Sequence, residues 1–150
     1  MACMNDGTAF LISDVSRLLR RRFDEGARAI GVTRPQWRAL TALSRHEGIN
    51  QGGLADLLEV EPITLCRMVD RLEEAGHVER RRDPTDRRAW NIFLTDQSRP
   101  LLDQLMAIGE DVFALAFDGF NAAERQALAT ALTQMRDNLS YADKDKTAHG

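Results

Sequence analysis

The chain has 150 residues, 43% hydrophobic and 29% charged, with a formal net charge of −3. That length suits one domain with a substantial core. No apolar run approaches the roughly 20 residues a membrane-spanning helix needs, so the chain reads as soluble and cytoplasmic. Its two cysteines, Cys3 and Cys66, stand far apart and outside any Cys-x-x-Cys, which excludes a disulfide framework and a thiolate zinc site.

No histidine has metal-ligand spacing. No phosphate-binding glycine loop, Gly-x-Ser-x-Gly or His-Glu-x-x-His occurs either, so no metal, cofactor or catalytic centre is expected. Met1 to Gly7 carries no pattern and reads as a frayed end. A first helix is expected from Thr8 to Ala29. Phe10, Leu11, Ile12, Val15, Leu18, Leu19 and Phe23 spread apolar character over more than one of its faces. Such a helix has two things to pack against, its own domain and a partner subunit. Arg20-Arg21-Arg22 reads as a solvated face.

Gly31 ends that helix. Thr33-Arg34-Pro35-Gln36 has a capping-box pattern, with Thr33 as N-cap and Gln36 reaching back. It opens a second helix with Trp37, Leu40 and Leu43 at helical spacing, closed by Gly48. Asn50 can cap a third, short helix holding Leu54, Ala55, Leu57 and Leu58. Glu59-Val60-Glu61 turns into a fourth helix, Pro62 to Ala75. Pro62 suits the first helical position, where a missing N–H costs nothing, and Gly76 suits a left-handed stop. Leu65, Met68, Val69 and Leu72 form one apolar stripe. The opposite face carries Ile63, Arg67 and Asp70, flanked by Thr64, Cys66 and Arg71.

The period then changes. His77 to Arg82 reads as a strand, and Ala89 to Leu94 as another, with Trp90, Ile92 and Leu94 alternating on one face. Asp83-Pro84-Thr85-Asp86-Arg87-Arg88 is the turn between them. Thr95 or Ser98 caps the next helix; with Ser98, Pro100 falls in the first turn. That helix runs through Leu101, Leu105, Phe113 and Phe117 to about Gly119. Asn121-Ala122-Ala123-Glu124 is a second capping box. A last helix carries Leu128, Leu132, Met135 and Leu139, and the polar tail after Tyr141 reads as disordered.

Helix, short helix, tight turn, longer helix and arginine-tipped hairpin make a winged helix-turn-helix. The expected fold is mostly α with a small β-wing. The DNA-binding part spans 33–95, and dimerisation helices span 8–30 and 98–140. A helix of this kind fits a major groove, and the hairpin can reach a neighbouring minor groove, whose negative potential favours arginine. The charge is unevenly distributed. Residues 1–58 hold eight Arg against six acidic residues, and 91–150 hold five basic residues against nine acidic. The hairpin 77–90 holds five Arg against three acidic residues, so a face toward DNA survives the negative total.

Several motifs together resemble the MarR-type (multiple antibiotic resistance regulator) transcription factors, over nearly the whole chain. They are Asp86-Arg87-Arg88 leading through an apolar strand to Leu94-Thr95, then Met68-Val69-Asp70-Arg71-Leu72-Glu73 with Gly76 and Val78-Glu79-Arg80-Arg81, and Gln36-Trp37-Arg38-Ala39-Leu40. Ser98 stands where many members have glycine. The resemblance implies a homodimer on a pseudo-palindromic double-stranded DNA operator. Ile63, Thr64, Arg67 and Arg71 would face the major groove and Arg88 the minor groove, its guanidinium held by Asp86 through a charge-assisted bond. Arg87 and Arg80 to Arg82 would touch phosphates.

The resemblance also implies a repressor released by a small aromatic or phenolic ligand. Phe10, Ser13, Arg17, Trp37 and Phe113 are candidates to line such a pocket for an anionic aromatic molecule, with ordinary packing as the other reading of each and the core as that of Trp37. A redox trigger is the alternative. Cys66, near a helix N-terminus beside Arg67, is a candidate for a reactive thiol, although neither it nor Cys3 sits where peroxide-sensing members keep theirs. A winged protein-interaction module is the remaining alternative, and it would not need arginines at the wing tip.

Overall fold

The structure, a computed structural model, describes residues 7–147, with side chains through residue 140. Its elements are α1 (Thr8–Ala29), α2 (Arg34–Arg45), α3 (Gln51–Leu58), α4 (Pro62–Glu74), β1 (Val78–Arg82), β2 (Trp90–Leu94), α5 (Arg99–Ala116) and α6 (Ala122–Thr147). The chain divides into two compact units, one ending at Phe113 and the other beginning at Ala114.

Local signals set most boundaries. Thr33 Oγ1 accepts from the Gln36 N–H at 3.4 Å, and Gln36 Oε1 accepts from the Thr33 N–H at 3.0 Å, which starts α2. Asn50 Oδ1 accepts from the Gly53 N–H at 2.6 Å and starts α3. Asn121 and Glu124 repeat the box before α6, at 2.8 and 3.1 Å. Glu59 makes the α3–α4 turn at φ 55°, a left-handed residue without a glycine. Gly76 stops α4 at φ 82°, and a Cβ there would meet the Gln97 side chain, so this corner admits little but glycine.

The strands are antiparallel and pair Val78 with Leu94, Arg80 with Ile92 and Arg82 with Trp90. Each is one residue shorter than the sequence pattern suggests. The segment before α3 adds an edge that the pattern did not reveal: Gly48 N–H donates to the Ile92 carbonyl and Ile92 N–H to the Ile49 carbonyl, both at 2.9 Å. Ser98 rather than Thr95 stands before α5. A 3-10 turn at Asp96–Ser98 leads in, Ser98 is buried, and its hydroxyl donates to the Thr95 carbonyl at 2.6 Å.

The core of the first unit brings Leu40 and Leu43 of α2, Leu54 and Leu58 of α3, Leu65, Val69 and Leu72 of α4, Val78, Ile92 and Leu105 together. The stripe of α4 expected to face inward does so, with Met68 only partly buried. The backbone of α6 runs from Ala122 to Thr147, beyond the Tyr141 at which the polar tail begins. Residues 141–147 contain no glycine or proline to stop a helix. Met1 to Asp6, and with them Cys3, lie outside the described residues.

Candidate nucleic-acid interface

Burial of the apolar stripe turns the other side of α4 outward. Ile63 is 64% exposed, and Thr64, Arg67 and Arg71 are exposed beside it. The side chains of Arg67 and Arg71 make no hydrogen bond or ion pair among the described residues. The same holds for Arg87 and Arg88 at the wing tip, which are also exposed. Unpaired guanidiniums on a helix face and a hairpin tip keep every donor available for an incoming anion.

Asp83 builds the tip. Its carboxylate accepts from the Thr85 N–H at 2.8 Å, the Thr85 hydroxyl at 2.7 Å, the Asp86 N–H at 3.2 Å and the Asn91 amide at 3.1 Å. These bonds, from Thr85 first and then Asn91 and Asp86, hold its pKa well below the usual carboxylate range. In the sequence Asp83 stands out only as a turn residue. The signal was present, since an aspartate followed two residues later by a threonine is an Asx-turn pattern.

A depressed pKa stabilises the fold above the unfolded value of about 3.9, and that contribution is lost as pH falls through the folded value. The stability gap between wild type and Asp83→Asn should therefore be present at about pH 7 and shrink in acid, below about pH 4. Paired urea titrations at both pH values measure it. A gap of the same size at both would mean that the ionised carboxylate does not hold the wing.

Two expected site contacts are corrected. Asp86 does not grip the Arg88 guanidinium. Its Oδ1 accepts from the Arg88 backbone N–H at 3.0 Å, because a spacing of two in a tight turn brings carboxylate to backbone before it can reach the side chain. Arg80 is not available to phosphates. Its side chain is 13% exposed and is bound to Asp70 at 2.6 Å and Glu73 at 3.1 Å. Burial lowers its pKa, but the bond and charge of Asp70 prevail and leave it above the ordinary arginine value.

The neighbouring arginines differ. Arg82 lies over the Trp90 ring at 4.4 Å and donates to the Arg87 carbonyl at 2.5 Å, bracing the hairpin while remaining at the surface. Arg81 lies over Phe93 at 4.1 Å and pairs with Glu79.

The residues expected around a ligand are placed otherwise. Phe10 and Phe113 are 69% and 51% exposed, and Ser13 is exposed. Arg17 pairs with Asp14 at 3.6 Å. Trp37 is 9% exposed, packs its ring at a tilt of 46° against Phe23 at 4.4 Å between ring centres and donates its indole N–H to Asp24 at 2.6 Å. Asp24 also holds Arg34. Burial raises the Asp24 pKa, but these two bonds outweigh it and leave the carboxyl below its ordinary value. Asp24 thus ties α1 to the start of α2, which makes Trp37 a core residue. A cavity of about 400 Å³ is lined by none of the five but by Phe23, Thr41, Ser44, Arg99, Leu102, Asp103 and others. Cys66 is half-buried, its Sγ 3.9 Å from the Arg80 guanidinium.

Among solved structures, a MarR-family transcriptional regulator from Silicibacter pomeroyi is 30% identical, with a TM-score of 0.77 over 89% of this chain and 90% of that one. The sequence model of the MarR family matches residues 30–89, the stretch from the end of α1 to the wing. The chain belongs to the MarR family. It is also similar to the HTH-type transcriptional regulator TtmR of Methylorubrum extorquens, 36% identical over 108 residues. That match takes in 72% of this chain and 54% of TtmR, so the chain spans about half the length of that relative. The fold recurs at 22% identity in a mutant of MepR from S. aureus bound to an oligodeoxyribonucleotide, with a TM-score of 0.58 over 87% of this chain and 96% of that one. The relatives of this MarR-family chain are transcriptional regulators, not enzymes. Among the described residues no helix is long and apolar enough to cross a membrane.

Proposed function

We propose that this MarR-family regulator binds double-stranded DNA sequence-specifically as a homodimer on a pseudo-palindromic operator. The observation that carries the reading is the set of four exposed arginines without partners among the described residues, Arg67 and Arg71 on α4 and Arg87 and Arg88 on the wing. With Ile63 and Thr64, the first two read base edges in a major groove. Arg88 enters the adjacent minor groove, and Arg82 and Arg87 meet phosphates. Phosphate contacts position the protein, and base contacts select the sequence. A protein-interaction wing would not require such arginines. MepR, which shares the fold, binds an oligodeoxyribonucleotide.

Apolar faces support the dimer. On α1, Phe10, Leu11, Val15 and Leu18 are 47–69% exposed. On α6, Leu128, Leu132, Met135 and Leu139 recur at steps of three and four and are 39–69% exposed. A second copy that covers them removes apolar surface from water, and a two-fold pair of winged units matches half-sites about one helical turn apart. Release by a small anionic aromatic ligand is the regulatory reading. The 400 Å³ cavity offers an aromatic molecule a mixed lining, with Phe23 and Leu102 beside two hydroxyls and Arg99, the last already paired with Asp96 at 3.2 Å and accompanied by Asp103.

Titration of the protein against the DNA upstream of its own gene, at several salt concentrations and beside a scrambled duplex, tests the function. Selective binding with a steep salt slope is expected. Equal weak binding to that duplex, to duplexes enriched from a random pool and to the scrambled control would sink it. Calorimetry with a panel of phenolic acids tests the ligand: neither heat nor loss of DNA binding removes that part.

A further inference from the structure

Arg80 of β1 binds to two other elements at once. Its guanidinium donates to Gln51 Oε1 of α3 at 3.1 Å, to Glu73 Oε1 of α4 at 3.1 Å and to the Cys66 carbonyl of α4 at 3.1 Å, and it pairs with Asp70 of α4 at 2.6 Å. Its own N–H donates to Glu73 Oε2 at 3.1 Å. A planar fork with five donors can serve separated acceptors in fixed directions, which a lysine ammonium cannot do. The result is a rigid joint between the first strand of the wing and the outward-facing helix.

The joint also governs charge on the face of α4. Asp70 stands three residues beyond Arg67, the spacing at which helical side chains of opposite charge pair. Asp70 is 53% exposed at its side chain, yet it is bound to Arg80, and Arg67 is left without a partner among the described residues. With Arg80 absent, Asp70 would be free to capture Arg67, and Glu73 would stand as a second uncompensated carboxylate beside the duplex. Either change works against an approaching phosphate backbone.

We propose that Arg80 is a positioning residue for DNA reading: by holding Asp70 and Glu73 it keeps Arg67 free for DNA and fixes the wing against α4. This rests on the DNA-binding reading above. It assigns to Arg80 a role in specificity exercised through other side chains, without contact to the nucleic acid.

The test is a double-mutant cycle on a duplex that the wild-type protein enriches from a random pool, with a scrambled duplex as control. Arg80→Met keeps the aliphatic stem and removes the donors. It should weaken specific binding at least about ten-fold and lower the ratio of specific to scrambled affinity. Asp70→Asn should change binding less than about three-fold in the wild-type background but restore about ten-fold or more in the Arg80→Met background. A direct phosphate contact predicts the same factor for Asp70→Asn in both backgrounds, and that result would overturn the proposal. So would an unchanged specific-to-scrambled ratio, because simple destabilisation lowers the active fraction for both duplexes alike. Circular dichroism at the assay temperature checks that each variant is folded. If Arg80→Met is not, the cycle is run with Arg80→Lys, which keeps the charge and loses the fork. Failure of the wild-type protein to enrich any duplex sinks the DNA-binding reading and this inference with it.

Discussion

Arg88→Ala should weaken binding to the operator by about 1–3 kcal/mol, roughly 5- to 150-fold, with the fold and the dimer intact. The guanidinium is exposed and has no partner among the described residues, so its removal breaks nothing within the protein. What fixes its direction is the backbone. Asp86 accepts from the Arg88 N–H, Ala89 N–H donates to the Asp86 carbonyl at 3.0 Å, and Asp83 N–H closes the hairpin on the Ala89 carbonyl at 3.1 Å. The tip is therefore pre-organised, and little ordering cost is left to binding. Arginine in a narrow minor groove responds to the shape of A·T-rich DNA, so the loss should be larger on duplexes with A·T pairs under the wing than on G·C substitutes. Fluorescence anisotropy with both duplexes measures it. Unchanged affinity for a folded dimer would remove Arg88 from the interface.

The parts of this molecule that could be read from the sequence depend on near neighbours. The Thr33–Gln36 box, the Asn50 cap, the Asn121–Glu124 box and the stop at Gly76 each join residues within one helical turn, and each lies where the pattern put it. The strand alternation holds as well, since Ile92 is fully buried between the partly buried Trp90 and Leu94. Which arginines stand free was harder to identify, because three of the candidates are consecutive. Arg80, Arg81 and Arg82 look alike in sequence, but the pleat sends neighbours to opposite faces. Arg80 lies opposite Ile92 in register, on the same face as Val78, so it turns into the protein and finds acids on α4 and Gln51, 29 residues away in the chain. Alternation with Val78 could have revealed the inward direction. Only the fold could reveal the partners. The same limit explains Trp37, whose acceptor Asp24 lies 13 residues upstream on another helix. It also explains the edge at residues 48–50, too short to carry a strand pattern of its own.

The largest expected effect belongs to the apolar face of α6. Leu132→Glu combined with Met135→Glu places two carboxylates on side chains that are both 43% exposed, so the helix itself loses little. Burying those carboxylates against a second copy would cost desolvation with no partner to offset it, and the protein should sediment as a monomer. On an operator with two half-sites, a dimer binds the second site from an effective concentration set by its own geometry. A monomer lacks that advantage, so affinity for the full palindrome should fall by about 10²- to 10⁴-fold. A duplex carrying one half-site separates this cause from damage to the winged unit. Monomer and dimer should bind the single half-site about equally, because α4 and the wing are untouched. A loss of the same size on half and full sites would mean that the substitutions disturb the DNA-reading unit. A double variant that sediments and binds like wild type would mean that α6 does not join the two copies.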